Sequence, residues 1–573
     1  MGGDDLTTTL ADIPALMEQT DEIRESLDRL RRMPPLIRLW ALKEDGSPGM
    51  VLRGRVPDTV AGKFPWKNNK AQGGMLRLRL DHHLSRWLTS IPDDPEAKKN
   101  VVVTVCTMGG AKRWSGLLKN WKVITRGRLH YLEVNFVDDL QFLQFMLGPP
   151  NPALPIPVFQ FPRVLPIFGP AKWAISMMIL INLIRLNGHP WTLPDDPFNV
   201  ESYDDLFDWS DWQVLIKCKA FDLDDSSLWT ILATRMNRMD QVIGDALDDA
   251  QLTLTYRRIL TVDGETCPVD GVDECANGAL VLEVVDNSGF YAADGTGTGG
   301  GIAGGLQRSV AQFLSGFVED IRVLVTDDEG IWPDEYYQNH YHGTVPSRPH
   351  VTVRDGPYSQ IETSELTWSP ATAVSVIVGG DNPLIDQLAR LTIESIAALI
   401  GYFLLAGFSG LGSIVADVVM PFLVGTIFAW LQWTNTTRAH NLGWIHLWEI
   451  YQQGAENNSW SLSAVAALRA GFESTKSQTA HMFTMRFGGE YLPGLDYVEG
   501  NRIASTAAHV TDKLLVDQVD SIEIDWDFEA AKFFGWNTTV GKSDAALSMA
   551  ERSARLLTKA LTTISNIGVH LVS

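Results

Sequence analysis

Cysteine is scarce: four in 573 residues, at Cys106, Cys218, Cys267 and Cys275. That is too few for a disulfide framework. Only Cys267 and Cys275 are close in sequence, which leaves a loop pair or two free thiols open. Positive charge is also short, with 47 Lys and Arg against 69 Asp and Glu and a formal net charge of −22. The sign argues against wrapping nucleic acid by neutralising phosphates. It is compatible with an acidic wall past which DNA slides without sticking. The acidic clusters around Asp204, Asp205, Asp208 and Asp211, and at Asp222, Asp224 and Asp225, read first as solvated surface.

Recognisable catalytic patterns are lacking too. There is no Gly-x-Ser-x-Gly elbow, no Cys in an obvious His and Asn context, and no interpretable carboxylate pair. His340, His342 and His350 lie near Asp334 and Glu335 without the spacing of a zinc site, and read as an aromatic-rich surface loop. Asp81, His82 and His83 are consecutive and read as structural. Gly295, Gly297 and Gly300 fit G-x-G-x-x-G, but in so glycine-rich a stretch a flexible loop is the reading. No cofactor, no metal and no enzyme activity are expected. The opening MGGDDL carries neither a basic n-region nor an apolar h-region, so synthesis in a cytoplasm without an address is expected.

What is present is an apolar stretch between Leu384 and Trp433. Two uncharged runs flank Asp417, each of roughly 20 residues, about the length of a bilayer crossing. Gly401, Gly407, Gly410, Gly412, Pro421 and Gly425 interrupt them, so two helical pieces meeting near Phe408 to Ser413 form a hairpin. Three readings compete: a constitutive transmembrane pair, the buried centre of an oligomer, and a conditionally exposed membrane-insertion hairpin. The side chains that would enter lipid are Ile400, Phe403, Leu404, Leu405, Phe408, Leu411, Phe422, Ile427, Phe428 and Trp430. Outside this stretch, Trp173 to Ile184 is the longest apolar run and is short enough for a core helix.

The rest of the chain is long enough for several domains. Pro14 to Arg32 has apolar residues at helical spacing and stops at Pro34 and Pro35. From Pro35 to Asp139 short alternating runs (LIRLWAL, MLRLRL, VVVTVCTM, LHYLEVNFV) read as an antiparallel barrel or sandwich, with a short helix at Asp81 to Leu88. Pro149 to Pro170 is a proline-dense connector. Helical pieces at Trp173 to Asn187 and Leu228 to Ala250, a helix at Leu306 to Val318, and strands at Leu252 to Val262 and Leu280 to Val285 make a mixed α/β insertion.

Several of these runs carry a resemblance. GKFPWKNNKAQGGMLRLRLDHHLSRWL, KRWSGLLKNWKVI and LHYLEVNFVDDLQFLQFMLGPPNPALP, with TWSPATAVSVIVGGDNP and YLPGLDYVEGNRIASTAAHVTDKLL further on, resemble a tail-tip family of actinobacterial siphoviruses. That family is typified by a protein of the Rhodococcus phage ReqiPepy, and its members are minor tail proteins. The last run has Gly500-Asn501-Arg502 where such hubs often have Gly-Asp. The resemblance implies a baseplate hub in the virion at the tail tip, usually a homotrimer with two barrel domains per chain. Implied partners are the distal tail protein ring, the tape-measure protein, other minor tail or fibre proteins, and the host cytoplasmic membrane during infection, with DNA only in transit.

The expected fold is α+β and multidomain: two β-barrel-like hub domains with a mixed α/β insertion and a long apolar helical hairpin. The expected division is 1–34 helix, 35–148 first hub domain, 149–350 connector and insertion, 351–383 strands of the second hub domain, 384–438 hairpin, and 439–573 the remainder with a C-terminal helix. The alternatives to a structural tail protein are a tail-associated cell-wall-degrading enzyme and a membrane-anchored assembly protein.

Overall fold

The structure is a computed structural model that describes residues 13–154, 165–188, 208–219, 222–287, 351–356, 359–379, 430–451, 477–485, 491–507 and 510–541, with positions 156, 302, 325–326, 471 and 475. The expected hairpin up to residue 429, the glycine-rich stretch with the helix expected after it, His340, His342 and His350, and the expected C-terminal helix lie outside the described residues.

Helix α1 (Ile13–Arg32) leads into β1 (Leu36–Leu42), β2 (Met50–Arg55), β3 (Ala61–Lys67), β4 (Gly73–Arg79), α2 (His83–Ser90), β5 (Val101–Thr107), β6 (Lys112–Arg126) and β7 (Leu129–Asp138). Alternation builds these strands: in β4, Leu76 and Leu78 are buried while Arg79 is exposed. Leu27 and Leu30 of α1 pack on the same core while Met17 and Ile23 stay exposed, so among the described side chains the helix docks through its C-terminal end alone.

The middle of the chain contributes β8 (Leu147–Gly148), β9 (Leu165–Pro170), α3 (Ala171–Asn187), β10 (Val214–Ile216), β11 (Trp229–Thr234), β12 (Asn237–Arg238), α4 (Met239–Asp249), β13 (Leu252–Arg258) and β14 (Leu280–Asp286). The helix expected over Leu228 to Ala250 is corrected: its first part is strand β11, paired with β9, and only Met239–Asp249 is helical. The β-branched Thr230, Ile231 and Thr234 favour the extended form, and Met236 at φ 64 breaks the chain direction before the helix begins. A second core forms here, with Ile175, Met178 and Ile179 of α3 buried beside Ile243 and Leu247 of α4 and the strands β10, β13 and β14.

Further on come β15 (Val325–Thr326), β16 (Thr352–Val353), β17 (Ile361–Ser369), β18 (Ala373–Gly379), β19 (Trp430–Thr434), α5 (Thr436–Leu442), β20 (Leu447–Tyr451), β21 (Gln478–Met485), β22 (Arg502–Ala507), β23 (Thr511–Asp527) and β24 (Lys532–Val540). The expectation of two separate barrels is corrected by how these strands pair. One 14-stranded sheet has the main path β17-β21-β24-β23-β3-β4-β7-β6-β5-β1-β2, with β15 and β22 pairing β23 off that path and β16 pairing β22, so the path crosses from the late strands to the early ones without a break. No closed barrel occurs among the described residues: the path ends on β17 and β2.

The joint is β23 against β3, in antiparallel register from Ser521↔Lys67 to Asp527↔Ala61. Its two edges are both satisfied, because β24 pairs the other side of β23. The aromatic core crosses the joint as well. Phe64 lies 5.1 Å from Trp114 and 5.9 Å from Trp526, and Trp66 stacks on Trp536 at 5.9 Å. Gly62 is required at this crossing, since a Cβ there would sit 2.2 Å from the Trp526 ring.

Candidate functional site

Two features stand out: a buried ionic junction where three parts of the chain meet, and an exposed aromatic edge on a small separate sheet.

The junction is built by β6, the turn after β7, the β13–β14 hairpin and the loop before β22. Arg258, at the end of β13, reaches Asp139 through two hydrogen bonds, Nε to Oδ2 and Nη2 to Oδ1, both 2.7 Å, and gives Nη1 to the Gly278 carbonyl at 2.8 Å. Ser115 donates its hydroxyl to the same Asp139 carboxylate. Arg113 grips Glu265 with both terminal nitrogens at 2.8 and 2.9 Å, and Arg257 adds a third contact at 2.7 Å. Arg38 holds Asp263 at 2.7 and 2.9 Å and lies 5.3 Å over the Trp40 ring. Lys112 pairs with Glu499 and sits 5.2 Å over Trp66. Bidentate arginine pairs of this kind fix orientation as well as distance.

Burial opposes the charge on Glu265, yet hydrogen bonds from Arg113, the Leu260 amide and Arg257 outweigh it and hold the carboxyl down at about 2. Asp138 goes the other way. Burial pushes it up to about 8 despite the amides of Gln72 and Leu140, with the neighbouring Asp139 adding repulsion.

The asparagine pair in the early run of resemblance also serves the junction. Asn68 accepts from the Thr253 hydroxyl at 3.1 Å. Asn69, in the left-handed region at φ 57, both donates to the Leu252 carbonyl at 2.9 Å and accepts from the Leu254 amide at 2.8 Å. The Gly500-Asn501-Arg502 departure lies here too: Asn501 donates to Asn287 at 3.1 Å. All these groups are committed to one another in or at the edge of the protein interior, which suits a rigid joint between modules.

The second feature is the three-stranded sheet β19-β18-β20. Strands β18 and β19 pair antiparallel from Ser375↔Thr434 to Gly379↔Trp430, so both ends of the 380–429 segment meet at one rung. Trp430 is the one residue of the predicted insertion set in the described part, and its backbone opens β19; Ile400, Phe403, Leu404, Leu405, Phe408, Leu411, Phe422, Ile427 and Phe428 lie outside it. Strand β20 runs parallel to β18 and forms the edge. Before and along it Trp444 is 94% exposed, Ile445 84% and Trp448 78%, beside an open groove of about 460 Å³. These large apolar side chains are left to solvent at the edge of the sheet.

His82 caps α2 by accepting from the Leu84 amide at 3.2 Å, and its ring is 4.4 Å from His83, in keeping with the structural reading. Among the described residues no group of His, Cys, Asp and Glu is arranged to hold a metal ion, and no helix is long and apolar enough to cross a membrane. Sequence reasoning missed Arg38, Arg113, Arg258, Asp139, Glu265 and the β20 edge. The exposed edge had a signal in the closely spaced aromatics of GWIHLWEIY.

Comparison with known proteins gives consistent matches. The family model of the Siphovirus ReqiPepy6 Gp37-like protein matches residues 36–542. The minor tail protein Gp28 of Mycobacterium phage L5 is 29% identical over 485 residues, covering 77% of this chain and 79% of that protein. Gp28 of Mycobacterium phage D29 is 28% identical over 529 residues, covering 85% and 86%. Among solved structures, the tail protein from Neisseria meningitidis MC58 aligns with a TM-score of 0.37 at 8% identity, covering 90% of this chain and 98% of that one.

Proposed function

This chain belongs to the Siphovirus ReqiPepy6 Gp37-like family and is a siphovirus minor tail protein, and from that premise we propose that it is the hub at the tip of the tail. In this reading three copies form a closed ring around an axial channel, following the cyclic habit of such assemblies. The hub carries the distal tail protein ring and the tape-measure protein on one side and other minor tail or fibre proteins on the other. DNA only passes through, and the net charge of −22 keeps it from sticking. The chain acts without catalysis. Of the expected division, 35–148 and 439–573 act as one unit through their shared sheet, and the ionic junction holds the 149–350 insertion to it.

The apolar segment is the delivery element. The observation that carries this part is the Gly379↔Trp430 rung, which holds the two residues flanking the segment side by side in one sheet. Burying each large apolar side chain is worth about 1.5–3 kcal/mol, so Ile400, Phe403, Leu404, Leu405, Phe408, Leu411, Phe422, Ile427, Phe428 and Trp430 favour lipid once released from a trimeric bundle. Asp417 opposes deep insertion unless protonated or paired.

The test is a phage carrying Phe403→Asp, Leu404→Asp and Phe408→Asp. Particles containing the variant should attach yet fail to deliver DNA, and the purified protein should no longer permeabilise liposomes. Unchanged delivery would make the segment a core element only. Mass measurement of isolated tail tips should give three copies; one or six would overturn the ring.

A further inference from the structure

Away from the junction, three of the late strands bring a nucleophile and a base together. Strand β17 pairs β21 in antiparallel register with Ser364↔Phe483 and Leu366↔His481, and β22 pairs β23 with Ser505↔Leu515. Residues directly opposite in such a pair share a face, as do residues two apart along a strand, so Ser364 and His481 stand on one face of the sheet. The Ser364 hydroxyl lies 2.7 Å from His481 Nε2, and across the ring the Ser505 hydroxyl lies 2.7 Å from Nδ1. His481 is fully buried, and its backbone amide donates to Asp517 Oδ2 at 3.2 Å, which holds it in place. Ser505 is fully buried too, whereas Ser364 is exposed. Among the described residues β17 pairs only β21, so Ser364 sits on a strand at the open edge of the sheet.

We propose that Ser364 is an acylation site, with His481 as the base that activates it and an activated ester or thioester as the acyl donor. A nucleophile within hydrogen-bond reach of a base, and a base oriented by a third group, is the arrangement such chemistry needs. The third group is Ser505. Its hydroxyl gives its one hydrogen to the Leu515 carbonyl at 3.4 Å and therefore accepts from Nδ1–H, which leaves Nε2 unprotonated and facing the Ser364 hydroxyl. Burial lowers the imidazole below its ordinary pKa, against the pull of Asp355, so the ring is neutral at neutral pH. Nε2 takes the Ser364 proton as the oxygen attacks the carbonyl carbon of the donor. The bond from that carbon to the leaving oxygen or sulfur then breaks, and Nε2 returns the proton to the leaving group. A serine ester and one hydroxyl compound or thiol result, with no change of oxidation state.

The step consumes Ser364, so it is a modification with one acyl group per chain, and not turnover. It exchanges a hydroxyl donor for an ester, which frees His481 Nε2 and places an apolar substituent on the strand where the main sheet path ends. Ser364 and His481 are 117 residues apart in sequence, and no Gly-x-Ser-x-Gly elbow surrounds the serine, so only the pairing of β17 with β21 brings the two together. The inference goes beyond the hub reading and stands without it.

The test incubates the full-length purified chain with p-nitrophenyl acetate and follows acetylation by peptide mapping over time. Ser26 is the reference, an exposed serine whose hydroxyl donates to the Ile23 carbonyl at 2.7 Å rather than to a base. Ser364 should be acetylated at least about a hundredfold faster than Ser26, the contribution of a positioned base. A His481→Gln variant of unchanged thermal midpoint should lose that advantage. Nitrogen NMR of the unsubstituted chain should find the His481 proton on Nδ1, and Ser505→Ala, which removes the positioning hydroxyl, should mix the two ring forms. Equal rates at Ser364 and Ser26, a Ser364 rate untouched by His481→Gln, or a ring proton held on Nε2 would each overturn the proposal. Should the His481 variant fail to fold, the rate ratio and the ring proton of the unsubstituted chain decide the matter.

Discussion

Arg258 and Asp139 meet across 119 residues of sequence in a planar two-bond contact, with the carboxylate fully buried and the guanidinium 5% exposed. Neither charge has water to fall back on.

Removing one partner should therefore be costly. Asp139→Ala or Arg258→Ala strands a buried charge and should destabilise the protein by about 3–5 kcal/mol. The paired replacement Asp139→Leu with Arg258→Met should cost much less than the two single losses added together. Urea denaturation of the four proteins measures the coupling, and additive losses would mean the pair is not a unit.

Gly62 gives a packing prediction. Gly62→Ala places a methyl group where the Trp526 ring already lies, and such overpacking costs about 1–3 kcal/mol or more. Trp526 fluorescence should shift with the loss, because the ring itself must move. A variant of unchanged midpoint and spectrum would contradict the close approach.

Stability should peak at mildly acidic pH, for two opposed reasons. Glu265 sits at about 2 in the folded chain against an ordinary 4.5, so its contribution is present above 4.5 and drains away as pH falls towards 2. Asp138 sits at about 8 against an ordinary 3.8, so its contribution is present below 3.8 and is lost as pH rises through 8. Thermal midpoints against pH should show both limbs. Glu265→Gln should flatten the acid limb and Asp138→Asn the alkaline one; a profile unchanged by either would refute the assignment.

The β20 edge gives a prediction with the opposite sign. Trp444→Ser and Trp448→Ser lie at the surface, so the isolated chain should keep its midpoint within about 1 °C. Assembly of tails containing the double variant should fall, because the apolar edge then has nothing to offer a neighbour. Full incorporation and infectivity would leave the exposed tryptophans without a role in assembly.

Much of the local structure was legible because its cause is local. Period-two alternation in MLRLRL and LHYLEVNFV marked β4 and β7, and the apolar spacing before Pro34 marked α1. Leu228 to Ala250 misled because its composition suits a helix while Thr230, Ile231 and Thr234 pair with β9 instead. The β3–β23 joint left no mark in either strand, since register between distant strands depends on partners that no window contains. The same holds for Arg38, Arg113 and Arg258: an arginine in a β-strand reads as a solvent-facing residue until its carboxylate is found elsewhere in the chain. The asparagines of KNNK lie in a run that carries the resemblance, and Asn69 binds the start of β13, a partner that lies 183 residues away.

The pairing of Lys67 with Ser521 also sets an order in time. At about 5–20 residues per second, β3 leaves the ribosome roughly half a minute to a minute and a half before the strand that completes it. Throughout that interval the early half of the sheet presents a bare edge, flanked by Phe64 and Trp66 whose aromatic partners Trp526 and Trp536 do not yet exist. A nascent chain in this state is a template for pairing with its own siblings, so truncation before residue 521 should give aggregates rather than a smaller folded protein. Synthesis of this protein is thus a race between the ribosome and a sticky edge.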